Sequence, residues 1–256
     1  MNTVYHTCGS AVLKVLPVAC VIASLAACTH ETTDAPKEPE ILKIALSINF
    51  LFGAHTYDLN GTYADDFGHL YKLDELRFFL SSPYAVDDDS NTVGAFASSV
   101  FLVSAVQDST AWYLGPIAGD HVHELYYDLG VDSSLNHGDP MQAAPPMNDT
   151  TMYDDLGSDY YFLSVRGRVD SNNNGTIDAA DSAFTYRCAG DPLRRPGSTP
   201  MHELVAHDGV YTAPGIVDVA KLLFGIDLLN TPSSSGNGPL QVQLMDNLVM
   251  AMLHPH

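Results

Sequence analysis

From Asp170 to Asp181 the chain reads Asp-Ser-Asn-Asn-Asn-Gly-Thr-Ile-Asp-Ala-Ala-Asp, a spacing of oxygen donors that suits a hard cation. Calcium takes six to eight oxygen ligands at about 2.3–2.6 Å. A twelve-residue loop supplies them from positions one, three, five, seven, nine and twelve, with glycine at six for the turn. Those positions hold Asp170, Asn172, Asn174, the Thr176 carbonyl, Asp178 and Asp181, and Gly175 stands at six. The register predicts a structural calcium site. Aspartate at position twelve is a shorter arm than glutamate, which weakens or reshapes bidentate coordination, and an Asn-rich hairpin turn without metal has the same composition.

A second donor set is nitrogenous. His121 and His123 precede Leu125, Tyr127 and Leu129 at alternating positions, so a strand from His121 to Leu129 puts both rings on the apolar-patterned face. Their Cβ atoms then stand roughly 6–7 Å apart. Neutral imidazole suits copper and zinc, and the thiolate of Cys188, on a neighbouring candidate strand, would complete a soft ligand set unsuited to calcium. Two partly exposed histidines at a strand start are the plainer alternative. The pairs His202/His207 and His254/His256 have no decisive spacing. No zincin helix, nucleophile elbow, P-loop or dinucleotide fingerprint is present. Asp87-Asp88-Asp89 and Asp154-Asp155 are adjacent acids of the kind found on solvated loops, not carboxylates set across a cleft. The residues therefore predict binding without catalysis.

The N-terminus carries a different signal. After Lys14 an apolar run from Val15 to Ala27 is too short to span a bilayer and suits a signal peptide. It ends in Leu25-Ala26-Ala27-Cys28, which resembles the bacterial lipobox, in which the cysteine is lipidated and becomes the mature first residue. Residues 1–27 are thus expected to be a lipoprotein-type signal and 28–40 a lipid-anchored linker, rich in polar residues and containing Pro36 and Pro39. Thr29, in place of aspartate after Cys28, favours an outer-membrane address, facing the periplasm or the cell surface. An ordinary signal peptide with a chance cysteine is the alternative. Of four cysteines, Cys8 and Cys20 leave with the signal and Cys28 carries lipid, so Cys188 has no partner for a disulfide. It is either buried as a small hydrophobe or held by a metal.

These candidates need a scaffold, and composition allows one. With 256 residues, 46% of them hydrophobic, the chain can bury a sizeable core. Its formal net charge of −20 repels phosphate backbones, which argues against nucleic-acid binding. Alternation of Leu42, Ile44, Leu46, Ile48 and Phe50 predicts a half-buried strand. Further strands are expected at Leu73–Leu80, Ser99–Ala105, His121–Leu129, Tyr160–Arg168 and Phe184–Arg187. Together they predict a mainly β fold, an antiparallel β-sandwich over residues 41–256, with short helices near the C-terminus. Ile216, Val219, Ala220 and Leu223, ended by Gly225, form one helical stripe; Leu240, Leu244, Leu248 and Met252 form another after Pro239. Thr231 to Pro239 reads as a flexible loop.

Several segments in order resemble the MbnP-like domain of exported copper-associated proteins. They are Leu76-Arg77-Phe78-Phe79-Leu80-Ser81-Ser82; Gly115 to Gly119 with Tyr127-Asp128-Leu129-Gly130-Val131-Asp132; Asn136-His137-Gly138-Asp139-Pro140; Met152-Tyr153; Tyr160 to Gly167; and Asp246-Asn247 through His254-Pro255-His256. The resemblance spans about residues 42–256. It implies copper binding or handling, and a redox partner of the dihaem cytochrome peroxidase type. Members that oxidise a tryptophan beside a histidine-bound copper carry it after Met-Tyr, where this chain has Asp154 and Asp155; its only tryptophan is Trp112. Cys188 stands where the family's Tyr-His-x-Gly motif has histidine. The calcium loop, with its final aspartate, resembles that of dockerin modules. The readings together predict a lipid-anchored, non-catalytic β-sandwich that binds metal, by the resemblance copper, and carries a structural calcium loop; the alternative is a calcium-stabilised envelope interaction module without transition metal.

Overall fold

The structure is a computed structural model that describes residues 41–106, 111–119, 121–154, 156–201 and 204–253. The segments expected to be signal (1–27) and linker (28–40), with Cys28, lie outside the described residues, as do Asp155, His202, His254 and His256. The unit Glu40–His256 holds fifteen strands and three α-helices among its described residues. In chain order the strands are β1 Lys43–Phe52, β2 His55–Thr56, β3 Tyr63–Ala64, β4 Leu70–Val86, β5 Thr92–Ala95, β6 Val100–Ser104, β7 Ala111–Pro116 and β8 Glu124–Leu129. They continue with β9 Tyr153–Asp154, β10 Asp159–Val169, β11 Ser182–Ala189, β12 Arg195–Pro200, β13 Val210–Asp218, β14 Ser234–Gly236 and β15 Met252–Leu253. The helices are α1 Ser133–Asn136, α2 Val219–Leu222 and α3 Pro239–Ala251.

The strands form two sheets, as the alternation predicted. In the smaller, β1 lies between β13, which runs parallel to it, and antiparallel β7. Burial of Ile44, Leu46 and Ile48 against the core follows from the period of two. The larger sheet has the order β12-β8-β4-β10-β11-β14 and is antiparallel except where β14 joins β11. Both sheets contribute to one apolar cluster that includes Ile44 and Leu46 from β1, Phe78 and Leu80 from β4, and Phe162 and Val165 from β10.

β4 organises the large sheet. Its first half pairs with β10 and its second half with β8, and the register shifts between Ser81 and Tyr84. Ser82 takes φ 52° at this shift, so the strand changes partner without ending.

The late helices differ from expectation in their limits. Ile216 belongs to β13, because it continues the strand ladder with Asn49 of β1; helix α2 begins only at Val219, where the Asp218 side chain accepts the Ala220 amide. α3 starts with Pro239 in its first turn and buries Leu244 and Leu248, as the stripe predicted. Thr231–Pro239 is not simply a loop: Ser234–Gly236 pairs in parallel with Tyr186–Cys188. Strands β12 and β13 carry proline and glycine, which weakened their apolar alternation in the sequence.

Candidate metal centre

The turn that follows β4 creates the first part of a donor cluster. Asp87 accepts the amides of Asp89 and Asn91 and the Asn91 side-chain amide, which hold its carboxyl below the usual carboxylate range. With Asp87 committed to the turn, its neighbour Asp88 faces solvent. Pairing of β4 with β8 then supplies the rest: Val86 lies opposite Glu124, and the Val86 carbonyl accepts the His123 amide at 2.8 Å.

One carboxylate oxygen meets both rings. Asp88 Oδ1 stands 2.9 Å from His123 Nδ1 and 3.3 Å from His121 Nε2. The three donor atoms lie within 4.8 Å of one another. Ligands at about 2.0–2.1 Å from a single ion, at angles between square and tetrahedral, are separated by about 2.9–3.4 Å. The two measured edges fall in that range, and two imidazoles with one carboxylate form a set for a borderline divalent cation. The rings are partly exposed, at 38% and 45% of their side-chain surface, so an ion could reach them and keep water ligands.

This position corrects the expected strand. β8 begins at Glu124, after both histidines, and the fully buried residue of the segment is Val122. Val122 turns into the core and thereby swings His121 and His123 to the rim, so the alternation that buries Leu125, Tyr127 and Leu129 stops short of them. Asp88, which the sequence presented as part of an acidic run, joins them.

Cys188 does not. It lies in β11 opposite Leu163 of β10, which in turn faces Phe78 of β4, whereas the histidines lie beside Glu124, which faces Val86 at the end of β4. The eight residues of β4 from Phe78 to Val86 put the thiol roughly 25 Å from the histidines along the strand. Its thiol is fully buried, contacts the Gln241 carbonyl at 3.7 Å, and is pushed up in pKa by burial. It is a packing residue and not a third ligand of the histidine pair.

The MbnP family profile matches residues 42–238. This chain belongs to the MbnP family. The match contains the donor cluster and Cys188, whereas α3 and the C-terminal histidines, which the sequence resemblance had included, lie beyond it. In the fold, the MbnP domain is similar to the solved structure of MbnP from Methylosinus trichosporium. That likeness has a TM-score of 0.51 and 12% identity, and covers 77% of this chain and 80% of the other. No curated protein matches the chain.

Within this MbnP domain the loop 170–181 joins β10 to β11 as a hairpin connection, with strands and not helices on both sides. Gly175 takes φ 80°, the left-handed conformation that position six demands. Asp170 and Asp181 are buried polar residues. Asp170 accepts the amides of Asn174 and Gly175; Asp181 accepts those of Ser171 and Asp178 and the side-chain amide of Asn172. The Asp178 amide is the first of the bonds that hold the Asp181 carboxyl below its ordinary range. Asn174 accepts from Thr176, and Asp178 from Ala180. Among the described residues, the carboxylates of this loop are not part of a cluster of three His, Cys, Asp or Glu donors within 4.8 Å. The loop is thus organised by its own hydrogen bonds, with its oxygens on side chains that can turn.

Two further clusters escaped the sequence reading. His69 Nδ1 lies 3.2 Å from Asp65 and 3.3 Å from Asp227, a group also within 4.8 Å. Asp65 additionally accepts the amides of Phe67, His69 and Leu228, so its oxygens already lock the β3–β4 turn to the segment after α2. His137 bridges Asp159 at 3.0 Å and Asp191 at 3.3 Å, beside the buried Asn136, whose side chain binds both carboxylates and the Tyr160 amide. Asp191, above all, holds His137 above the ordinary histidine pKa. Asp65 and His69 are only four residues apart, but Asp227 and both partners of His137 are distant in sequence, and spacing alone could not supply them.

Proposed function

We propose that this chain is an exported, lipid-anchored, non-catalytic metal-binding protein that binds copper through His121, His123 and Asp88. The observation that carries the reading is the meeting of both imidazoles at one carboxylate oxygen, at 2.9 and 3.3 Å. Membership of the MbnP family supports copper as the metal. Without a thiolate, the two-nitrogen, one-oxygen set suits cupric copper better than cuprous, with zinc as its competitor. The lipobox-like Leu25-Ala26-Ala27-Cys28 supports anchoring at the outer membrane. The family resemblance supports a redox partner of the dihaem cytochrome peroxidase type.

The loop 170–181 serves as a structural calcium site in this reading, supported by its register and by the conformation of Gly175. Asp170, Asn172, Asn174, Thr176, Asp178 and Asp181 would turn from their mutual hydrogen bonds toward the ion. That loop also favours the second reading, an envelope interaction module that calcium stiffens and no transition metal enters. Anaerobic and aerobic reconstitution of the purified mature chain with copper and zinc, followed by metal analysis, separates the two. One copper per chain in wild type, lost in His121→Ala/His123→Ala, is the expected result. No bound copper in wild type favours the interaction module, and equal binding in both proteins removes this site.

A further inference from the structure

Segment 134–147 and the turn before β6, which share no residue with the donor cluster, line a solvent-open hollow of about 520 Å³ in which Asp139 is exposed. Small-molecule sites are commonly about 300–1,000 Å³ and mostly apolar, with a few placed polar groups. Here Phe101 and Tyr113 contribute aromatic surface and Ala143 and Pro146 aliphatic surface, while the fully buried Tyr160 forms part of the wall. Asp139 is the single charged residue of the lining. Its Oδ1 accepts the Met141 amide at 2.8 Å, while Oδ2 has no hydrogen-bond donor among the described residues. The carboxylate lies close enough to the Tyr160 phenol to raise its pKa, after the larger effects of burial and Tyr153.

Aromatic faces attract cations through their quadrupole, and an unpaired carboxylate at the edge of an apolar cavity does so through its charge. No cationic side chain lines the walls to compete. The formal charge of −20 adds long-range attraction of the same sign. We infer that this hollow binds a small organic ammonium ion, whose apolar body fills the space beside Phe101 and Tyr113 and whose charged head faces Asp139. The site is separate from the proposed metal centre and depends on no metal.

Trp112 gives the readout. It is the only tryptophan, its ring centroid lies 5.6 Å from that of Phe101, and it precedes Tyr113 in the chain. Its fluorescence, with calorimetry as a second measure, should be followed during titration with benzyltrimethylammonium, 2-phenylethanol and 3-phenylpropionate. The expected result is saturable binding of the ammonium ion, at least about fivefold weaker binding of the neutral alcohol, and none of the carboxylate. Asp139→Asn, which can keep the turn to Met141, should bring ammonium and alcohol to within about twofold of each other. Ala143→Phe should block all binding, with native folding checked by circular dichroism. The inference is overturned if the ammonium ion fails to saturate wild type up to about 10 mM. It is equally overturned if the three probes bind alike, if Asp139→Asn keeps the full preference, or if correctly folded Ala143→Phe binds as wild type does.

Discussion

The carbonyl of Val86 accepts the amide of His123 at 2.8 Å, and this single bond sets an imidazole beside the turn that begins one residue later. Asp88 can meet His123 because β4 and β8 are still in register at Val86 and Glu124. The candidate metal centre is therefore built at a strand end, where pairing fixes the backbone and side chains stay accessible.

Asp88→Asn tests whether the carboxylate is a ligand. Asparagine keeps the size of the side chain but removes the charge that holds both imidazoles. Copper affinity should fall by at least about tenfold, in line with the large losses that follow even removal of residues behind metal ligands. Competition with a chelator of known strength measures it, and an unchanged dissociation constant would leave the histidines as the whole site.

Cys188→Ala should leave copper stoichiometry unchanged, because the thiol is buried away from the histidines. In the native protein that thiol should also resist a disulfide exchange reagent, and react only after denaturant exposes it. Rapid labelling of the folded protein would contradict the burial.

Calcium should raise the melting temperature. At a hundredfold excess over Kd, linkage gives about 2.7 kcal/mol, which for a domain of this size corresponds to roughly 5–11 °C. Asp170→Ala should abolish the shift. If wild type and variant melt at the same temperatures with and without the ion, the loop is a turn held by its own hydrogen bonds.

The bridge from His137 to Asp191 and Asp159 predicts a dependence on pH. His137 is held above the ordinary value of about 6.5, so its contribution is complete below that value and disappears as pH rises through the raised one. Asp191 is held low, chiefly by Ser133, so its contribution is present above the ordinary carboxylate value and disappears as pH falls through the lowered one. His137→Ala should therefore lower the melting temperature more at about pH 5.5 than at about pH 8.5. Thermal melts of both proteins at the two pH values decide it; an equal loss would reduce His137 to packing.

Much of the sheet architecture was legible in the period of two, since strands such as β1 and β8 bury alternate apolar side chains and announce it, whereas β10, buried from Tyr160 to Val165 without a break, shows as a near-continuous apolar run. The failures have local physical causes. At His121 the alternation ran on in the sequence but not in the backbone, because Val122, the residue between the histidines, is the one drawn into the core. Asp88 could not be recognised as a partner, since its link to His123 depends on which strands pair. β13 was hidden by Pro214 and Gly215, and Ile216 was mistaken for the start of a helix because helical spacing and the end of a strand overlap there. The cavity beside Tyr160 joins segments far apart in sequence and leaves no pattern in either.

β4 has one further consequence. At its first residue the Leu70 carbonyl accepts the Asp170 amide, while Asp88 follows two residues after its last. The loop 170–181 and the histidine pair thus occupy opposite ends of a 17-residue strand. At about 3.3 Å per residue this is a path on the order of 50 Å, several times the screening length of about 8 Å in physiological salt. Charge added at one end is hidden from the other by solvent ions. Occupancy of the two sites should be thermodynamically uncoupled, so that filling the loop with calcium changes how hard the domain is to unfold without changing how tightly the rim holds copper.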